Sequence, residues 1–398
     1  MSRDRTGVSR RTVLWAAGVG AAVAASPVPV AAAPQTSTTV VESARRAGLA
    51  EQAIMARHVR PVWGLPGTLL GVTAWPPSPL EEVFEEWDYW FQAHLVDCAT
   101  DAALRAPAPE RRDRVAALVR GIRTRNLTGW TNQYYDDMTW LLLALERADR
   151  TLGVGFPDGI GDLRAASAES WNPDVGAVRW RVGSDYYNAC TNAPTGIASA
   201  RFGDLSRAGR LADFLDTRLR DNNSGLIVDG VHEPGARLEP AVYSYNQGTA
   251  IGLEAELYSR TDTPEYRRRA TALIAATGEQ MTDNGVIRGA GGGDGGLFMG
   301  ILARYLALAA ITLRDTTAAH IVHASAQAAW ANRAEVDGLP LFGTDWSTPA
   351  TVPEQPEDRT RLSNGRIAAS ATPNRDLSVQ LSGWMLLEAD HQLTAAGL

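Results

Sequence analysis

The sequence contains no lysine: all 38 of its basic residues are arginine. Without lysine there is no Schiff base, which excludes ordinary pyridoxal-phosphate and class I aldolase chemistry. A Walker A nucleotide site is excluded for the same reason. Cysteine is nearly absent too. Cys98 and Cys190 lie far apart and match no metal spacing; export would permit a disulfide, but a chain folded in a reducing cytoplasm before export is expected to keep two buried free thiols. The six histidines form no ligand set; His320 and His323 share a helix face, have no carboxylate nearby in sequence, and read as ordinary helix residues. The formal net charge is −7 and no long basic patch occurs, which argues against nucleic acid as a partner. Beyond the N-terminal segment, no run of transmembrane length stands out.

That N-terminal segment reads as an address. Ser9-Arg10-Arg11-Thr12-Val13-Leu14 carries the paired arginines of a twin-arginine (Tat) export signal. The apolar stretch over 13–25 is short and alanine-rich for a membrane span, and small residues at Val30 and Ala32 suit cleavage after Ala32. Residues 1–32 are therefore read as a signal peptide and 33–398 as one domain. The expected product is a secreted or wall-associated monomer with no stable membrane insertion after the signal is removed.

What the chain has in abundance is helical periodicity. Apolar residues recur at helical spacing over 39–59, 80–103, 110–124, from Asp136 onward, and over 159–170, 184–202, 205–220, 243–258, 265–281, 296–313, 316–334 and 377–396. Strand signals are confined to short runs at 226–228 and 285–287, which fit loop hairpins. The even-numbered segments are dense in Ala, Gly and aromatics, whereas the odd-numbered ones carry arginine and glutamate stripes. A helix apolar nearly all round is buried; one with a charged face is at the surface. Twelve helices alternating in this way predict an all-α fold, an (α/α)6 barrel with six inner and six outer helices. The N-termini of the inner helices would then share one end, and the loops before them would form one cleft.

The contents of those loops are rings, amides and carboxylates rather than basic groups. Asn132-Gln133-Tyr134-Tyr135-Asp136-Asp137 precedes a strongly apolar helix. One of its acids could simply cap that helix, since Asp is a favoured N-cap and acids suit a first turn. The other loops bring Trp90, then Asp185, Tyr186, Tyr187, Asn188 and Asn192, then Asp229 and Tyr243 to Gly248, then Asp294. Aromatics stack on sugar faces, and amides and carboxylates hydrogen-bond hydroxyls. The run Gly291 to Gly296 matches G-x-G-x-x-G, but no βαβ unit surrounds it and Asp294 would repel a pyrophosphate, so it reads as a loop.

Four ordered motifs narrow this further: Tyr135-Asp136-Asp137 with Trp140, Asn188-Ala189-Cys190-Thr191-Asn192-Ala193-Pro194, Tyr245-Asn246-Gln247-Gly248, and Asp294 with Phe298-Met299-Gly300 through Leu306. Together they resemble glycoside hydrolase family 76, the α-1,6-mannanases, across nearly the whole chain after the signal. The resemblance implies an (α/α)6 barrel and an α-1,6-linked mannan or manno-oligosaccharide as partner, with no cofactor and no metal. It also implies Asp136 as nucleophile and Asp137 as general acid/base. Tyr135, Trp90, Tyr187, Asn188, Asn192, Asp229, Tyr245, Asn246, Gln247 and Asp294 are the candidate substrate-binding residues. Independently, consecutive Cα atoms lie ~3.8 Å apart, which suits the ~5–5.5 Å carboxyl separation of retaining glycosidases better than the wider spacing of inverting ones. The sequence departs from the family pattern at Met299, where a basic residue is frequent, and altered substrate contact is expected there. A transglycosylase on the same site, and a glycan-binding protein without catalysis, are the alternatives. Lyases and epimerases usually need a His, Lys or Arg base, and no histidine lies in these motifs.

Overall fold

Two kinds of helix alternate along the chain, and their composition decides the layer each occupies. A computed structural model describes residues 34–356 and 367–398; the twin-arginine segment lies outside the described residues. Among these are thirteen α-helices: α1 (Pro34–Arg57), α2 (Pro79–Glu82), α3 (Tyr89–Arg105), α4 (Pro109–Arg125), α5 (Tyr135–Leu152), α6 (Pro157–Glu169), α7 (Ala189–Arg201), α8 (Leu205–Phe214), α9 (Ser244–Thr261), α10 (Pro264–Gln280), α11 (Gly295–Leu313), α12 (Thr316–Asn332) and α13 (Leu377–Ala395). The arginine-rich α4 buries only one stripe, whereas α11, with Arg304 as its single charge, is buried along almost its whole length. By length and composition alone α11 could cross a membrane, yet 78% of its most apolar window is buried inside the protein.

The buried helices pack in a closed ring, α3–α5–α7–α9–α11–α13 and back to α3. Outside it, α4, α6, α8, α10 and α12 each pack on the inner helix that precedes them, and α1 packs on α13. This is the (α/α)6 barrel expected from the alternation. Close approach of the inner helices depends on missing side chains. A Cβ on Gly248 of α9 would sit 2.7 Å from the Leu302 Cα, and one on Gly300 would sit 2.6 Å from the Ser382 Cα of α13.

Three boundaries differ from the periodicity. The segment 80–103 is not one helix. Glu81, fully out of solvent, accepts from Ser78 N at 2.8 Å in the first turn of α2 and pairs with Arg375 at 3.0 Å, and α2 stops after that one turn. The chain then passes Phe84 and Asp88 at positive φ before α3 begins. The segment 184–202 begins as a strand, Tyr186–Asn188, and turns helical only at Ala189, with Asn188 at the N-cap position. That strand joins Gly230–His232 and Arg237–Glu239 in an antiparallel sheet. The 226–228 run is not its hairpin. Ile227 makes one bridge to Arg220, and the Gln247 amide bonds both its N–H and its carbonyl, at 2.8 Å each. The 285–287 signal does form a hairpin, Thr282–Asp283 with Val286–Ile287.

Cys98 and Cys190 are buried free thiols, as expected. His323 is not an ordinary helix residue: α13 brings Asp390 to within 2.6 Å of its Nδ1, a pairing invisible in local sequence. That bond holds the His323 pKa above its usual value.

Candidate active site

The inner helices begin around one cleft of about 760 Å³. Asp136 and Asp137 stand on the first turn of α5, at its floor. Neither acid caps the helix: Tyr134 holds the N-cap position, with no side-chain cap bond. Asn132 sets up this entry with both ends of its amide. Its Oδ1 accepts the Tyr134 N–H at 2.8 Å, and its Nδ2 donates to Asp137 Oδ2 at 2.8 Å.

The two carboxyls have different surroundings. Asp136 Oδ2 accepts from Trp180 Nε1 at 3.0 Å and from the Cys190 thiol at 3.6 Å. Its Oδ1 is buried with no hydrogen-bond partner among the described residues. Burial raises the Asp136 pKa to about 7, against the pull of first-turn amides, Trp180 and Cys190. Burial also raises Asp137, and the Asp136 charge adds to it, with smaller contributions from Asp294 and Asp88. Asp137 is therefore held well above the usual carboxylate range. Two abutting acids cannot both ionise easily in so dry a place. The pair can offer a proton from one carboxyl beside an anionic oxygen on the other.

Trp90, Asn188, Asp229, Tyr245 and Asp294 line the same cleft, as do both aspartates. Trp90 Nε1 donates to Asp294 Oδ1 at 3.1 Å, and Ile367 N to Asp294 Oδ2 at 2.9 Å. Asp229 is fixed by the Tyr186 hydroxyl at 2.6 Å and by Asn246 Nδ2 at 3.0 Å. Asn246 thus stands behind Asp229 rather than at the cleft surface.

The other sequence candidates face elsewhere. Tyr135 packs in the core. The Tyr187 ring is buried, with its hydroxyl accepting from Asn172 Nδ2 at 2.7 Å. Asn192 ties its amide to Val178 and to the Asn188 carbonyl. Gln247 is spent on Ile227 and the Tyr243 carbonyl. These residues hold the frame behind the cleft. Met299 is fully buried in the core, so it makes no altered contact in the cleft.

Several cleft residues escaped the sequence reading. Trp180, a lone tryptophan just before the Tyr186 strand, binds Asp136 and meets Tyr134 and Tyr186 edge-on at 5.4 and 6.0 Å. Asp88 lies at the start of α3, buried and at φ 47. Arg181 and His232 also reach the cleft, so a histidine is present after all. His232 stacks on Tyr186 at 4.6 Å and contacts Asp185 at 3.1 Å and Glu239 at 3.4 Å. The signal that could have found it is its cross-strand register with Tyr186.

Curated protein sequences include no match to the chain. Among solved structures, the GH76A α-1,6-mannanase of Salegentibacter sp. HEL1_6 is 25% identical over 87% of this chain and 98% of its own, with a TM-score of 0.72. An inactive variant of that enzyme, with two aspartates replaced by asparagine, is in complex with α-1,6-mannotriose; it shares 24% identity over 88% and 99% of the two chains, at TM-score 0.73. The Lin0763 protein of Listeria innocua is 25% identical over 88% and 97%, at TM-score 0.74. The model of glycosyl hydrolase family 76 matches residues 50–370, most of the chain and all of the cleft's helix starts from α3 to α11, and the protein belongs to that family.

Proposed function

We propose that this glycoside hydrolase cleaves α-1,6-mannosidic bonds in mannan with retention of configuration, using Asp136 as nucleophile and Asp137 as general acid/base. The observation that carries the reading is the asymmetry of the pair. Asp136 has one oxygen anchored by Trp180 and Cys190 and the other, Oδ1, left without a partner, while burial and the Asp136 charge raise the pKa of Asp137 beside it. The likeness to enzymes described as α-1,6-mannanases supports the substrate class.

Asp136 Oδ1 attacks the anomeric carbon as Asp137 gives its proton to the departing glycosidic oxygen. The bond broken is the glycosidic C–O; the bond formed is an ester between the mannosyl carbon and Asp136. Asp137, now a carboxylate, takes a proton from water, whose oxygen displaces Asp136 at the same carbon. Two inversions leave the anomeric configuration unchanged. Trp180 and the first turn of α5 steady the Asp136 anion when it leaves.

Asp136→Asn and Asp137→Asn should each abolish cleavage of linear α-1,6-mannan without lowering the melting temperature. Full activity in either variant contradicts the roles; inactivity through unfolding returns both acids to a structural part. We further propose export by the twin-arginine route, on the strength of Arg10 and Arg11. Retention of an Arg10→Lys, Arg11→Lys variant inside the cell is the expected sign.

A further inference from the structure

Beside the cleft, the chain between α1 and α3 holds a tryptophan out into solvent. Trp63 is 50% exposed, although it is among the largest apolar side chains. Its backbone lies at φ 48 and ψ 31, the left-handed region, where a bulky residue is an outlier. Such strain persists where the surroundings over-determine it, and it concentrates at functional sites. The ring is not loose. Its Nε1 donates to the Val83 carbonyl at 2.8 Å, which fixes the indole edge. Leu65, Leu80 and Val83, from the same connection, are 45%, 49% and 54% exposed, an unusual density of open apolar side chains.

The position of Arg125 says what this surface continues. Its guanidinium lies over the Trp63 ring, 5.9 Å from the centroid, and over the Trp87 ring at 5.3 Å. It is held there by the carbonyls of Phe84 at 2.5 Å and Glu85 at 3.2 Å. Trp87 lines the cleft. An aromatic–guanidinium–aromatic ladder therefore runs from the cleft wall to open surface. A fixed indole face flanked by a guanidinium and backbone carbonyls suits a sugar ring, which has an apolar C–H face and a hydroxyl rim. A purely apolar partner would take the Arg125 charge out of water, a desolvation cost that the hydroxyl rim of a sugar lowers.

We propose that Trp63, with Arg125 and Trp87, forms a distal glycan subsite that holds the part of a long mannan chain emerging from the cleft. The subsite rests on the substrate class proposed above. It makes the enzyme favour polymer over short oligosaccharide, because only a chain long enough to pass Trp87 reaches Trp63.

Binding is measured in the Asp136→Asn, Asp137→Asn double variant, by calorimetry with linear α-1,6-mannan and with α-1,6-mannotriose. Trp63→Ala is expected to weaken polymer binding roughly three- to tenfold, the range of one aromatic contact, and to leave mannotriose affinity where it was. Trp63→Phe, which keeps a ring, should retain most of the polymer affinity and serves as the check on folding. Unchanged polymer affinity in Trp63→Ala overturns the subsite. So does an equal loss for polymer and triose, which would mean a distorted cleft, or a sedimentation change with polymer affinity intact, which would mean that Trp63 meets a second copy. No mannan binding with Trp63 in place would overturn the proposed substrate together with the subsite, whereas failure of the subsite alone leaves wild-type mannan cleavage untouched.

Discussion

A buried carboxyl with an unpartnered oxygen is a liability for the fold, and its sign can be worked out for Asp136. Its pKa rises from 3.8 to about 7 on folding, chiefly through burial. The folded state therefore binds the proton more tightly than the unfolded chain. Below pH 4 both states are protonated and the residue contributes nothing. Between pH 4 and 7 the unfolded chain gains by ionising first, so stability falls as pH rises, and the loss is complete above 7. Asp136→Asn should then raise the melting temperature at pH 7.5, with the gain vanishing near pH 3.5; thermal melts at the two pH values check it. A structural cap would behave oppositely, losing stability on replacement. Stability held back at the proposed nucleophile would be a known kind of trade-off. The same scale shows what the sequence could reveal. Motifs brought Trp90, Asn188, Asp229, Tyr245 and Asp294 to notice, and all line the cleft. They could not separate Tyr186 from Tyr187, because neighbours on a strand face opposite sides. Nor could they separate Tyr245 from Gln247, which a helix turns through about 200°. Trp180 and His232 were hidden because non-local backbone pairing places them: Trp180 bonds the backbone of Tyr135 and Tyr186, and His232 pairs with Tyr186 across strands.

At the scale of elements, helix propensity and packing pull against each other along α9 and α11. Replacing Gly248 by alanine favours the helix by about 1 kcal/mol. The new methyl would meet the Leu302 Cα at 2.7 Å, and backbone cannot rotate aside. Overpacking of this kind costs about 1–3 kcal/mol, so the clash wins. Gly248→Ala is expected to lower unfolding free energy by up to about 2 kcal/mol, read from urea denaturation, and to impair activity by tilting the start of α9, which carries Tyr245. An unchanged midpoint would show that α9 and α11 can separate. Helix existence was legible from periodicity, and boundaries were not. Glu81 looks like a mid-helix residue, but it stands in the first turn of α2, paired with Arg375 nearly three hundred positions away, and the chain leaves that helix where Phe84 takes positive φ.

For the whole molecule, the ring is locked at its far end by buried ion pairs. Asp97 and Asp101 of α3 bind Arg147 of α5 and Arg304 of α11; Arg304 reaches Asp97 at 3.0 Å and Asp101 at 2.8 Å. Arg105 then ties Glu51 of α1 to Glu388 of α13, at 2.9 and 3.0 Å, joining the first and last of the described helices. Alternating helix character predicted the barrel, but these pairs have no local signature. Asp101→Ala leaves two buried guanidinium groups sharing the single carboxylate of Asp97 and should cost about 3–5 kcal/mol across a single unfolding transition. Two transitions in urea would mean that the barrel is not one cooperative unit.

All three scales converge on a pair of neighbouring acids at the bottom of one cleft. The most direct measurement of their proposed work is proton NMR of linear α-1,6-mannan from the first seconds of reaction. A double displacement through Asp136 releases the α-anomer first, with the β-anomer growing in by mutarotation. The β-anomer appearing first would contradict it.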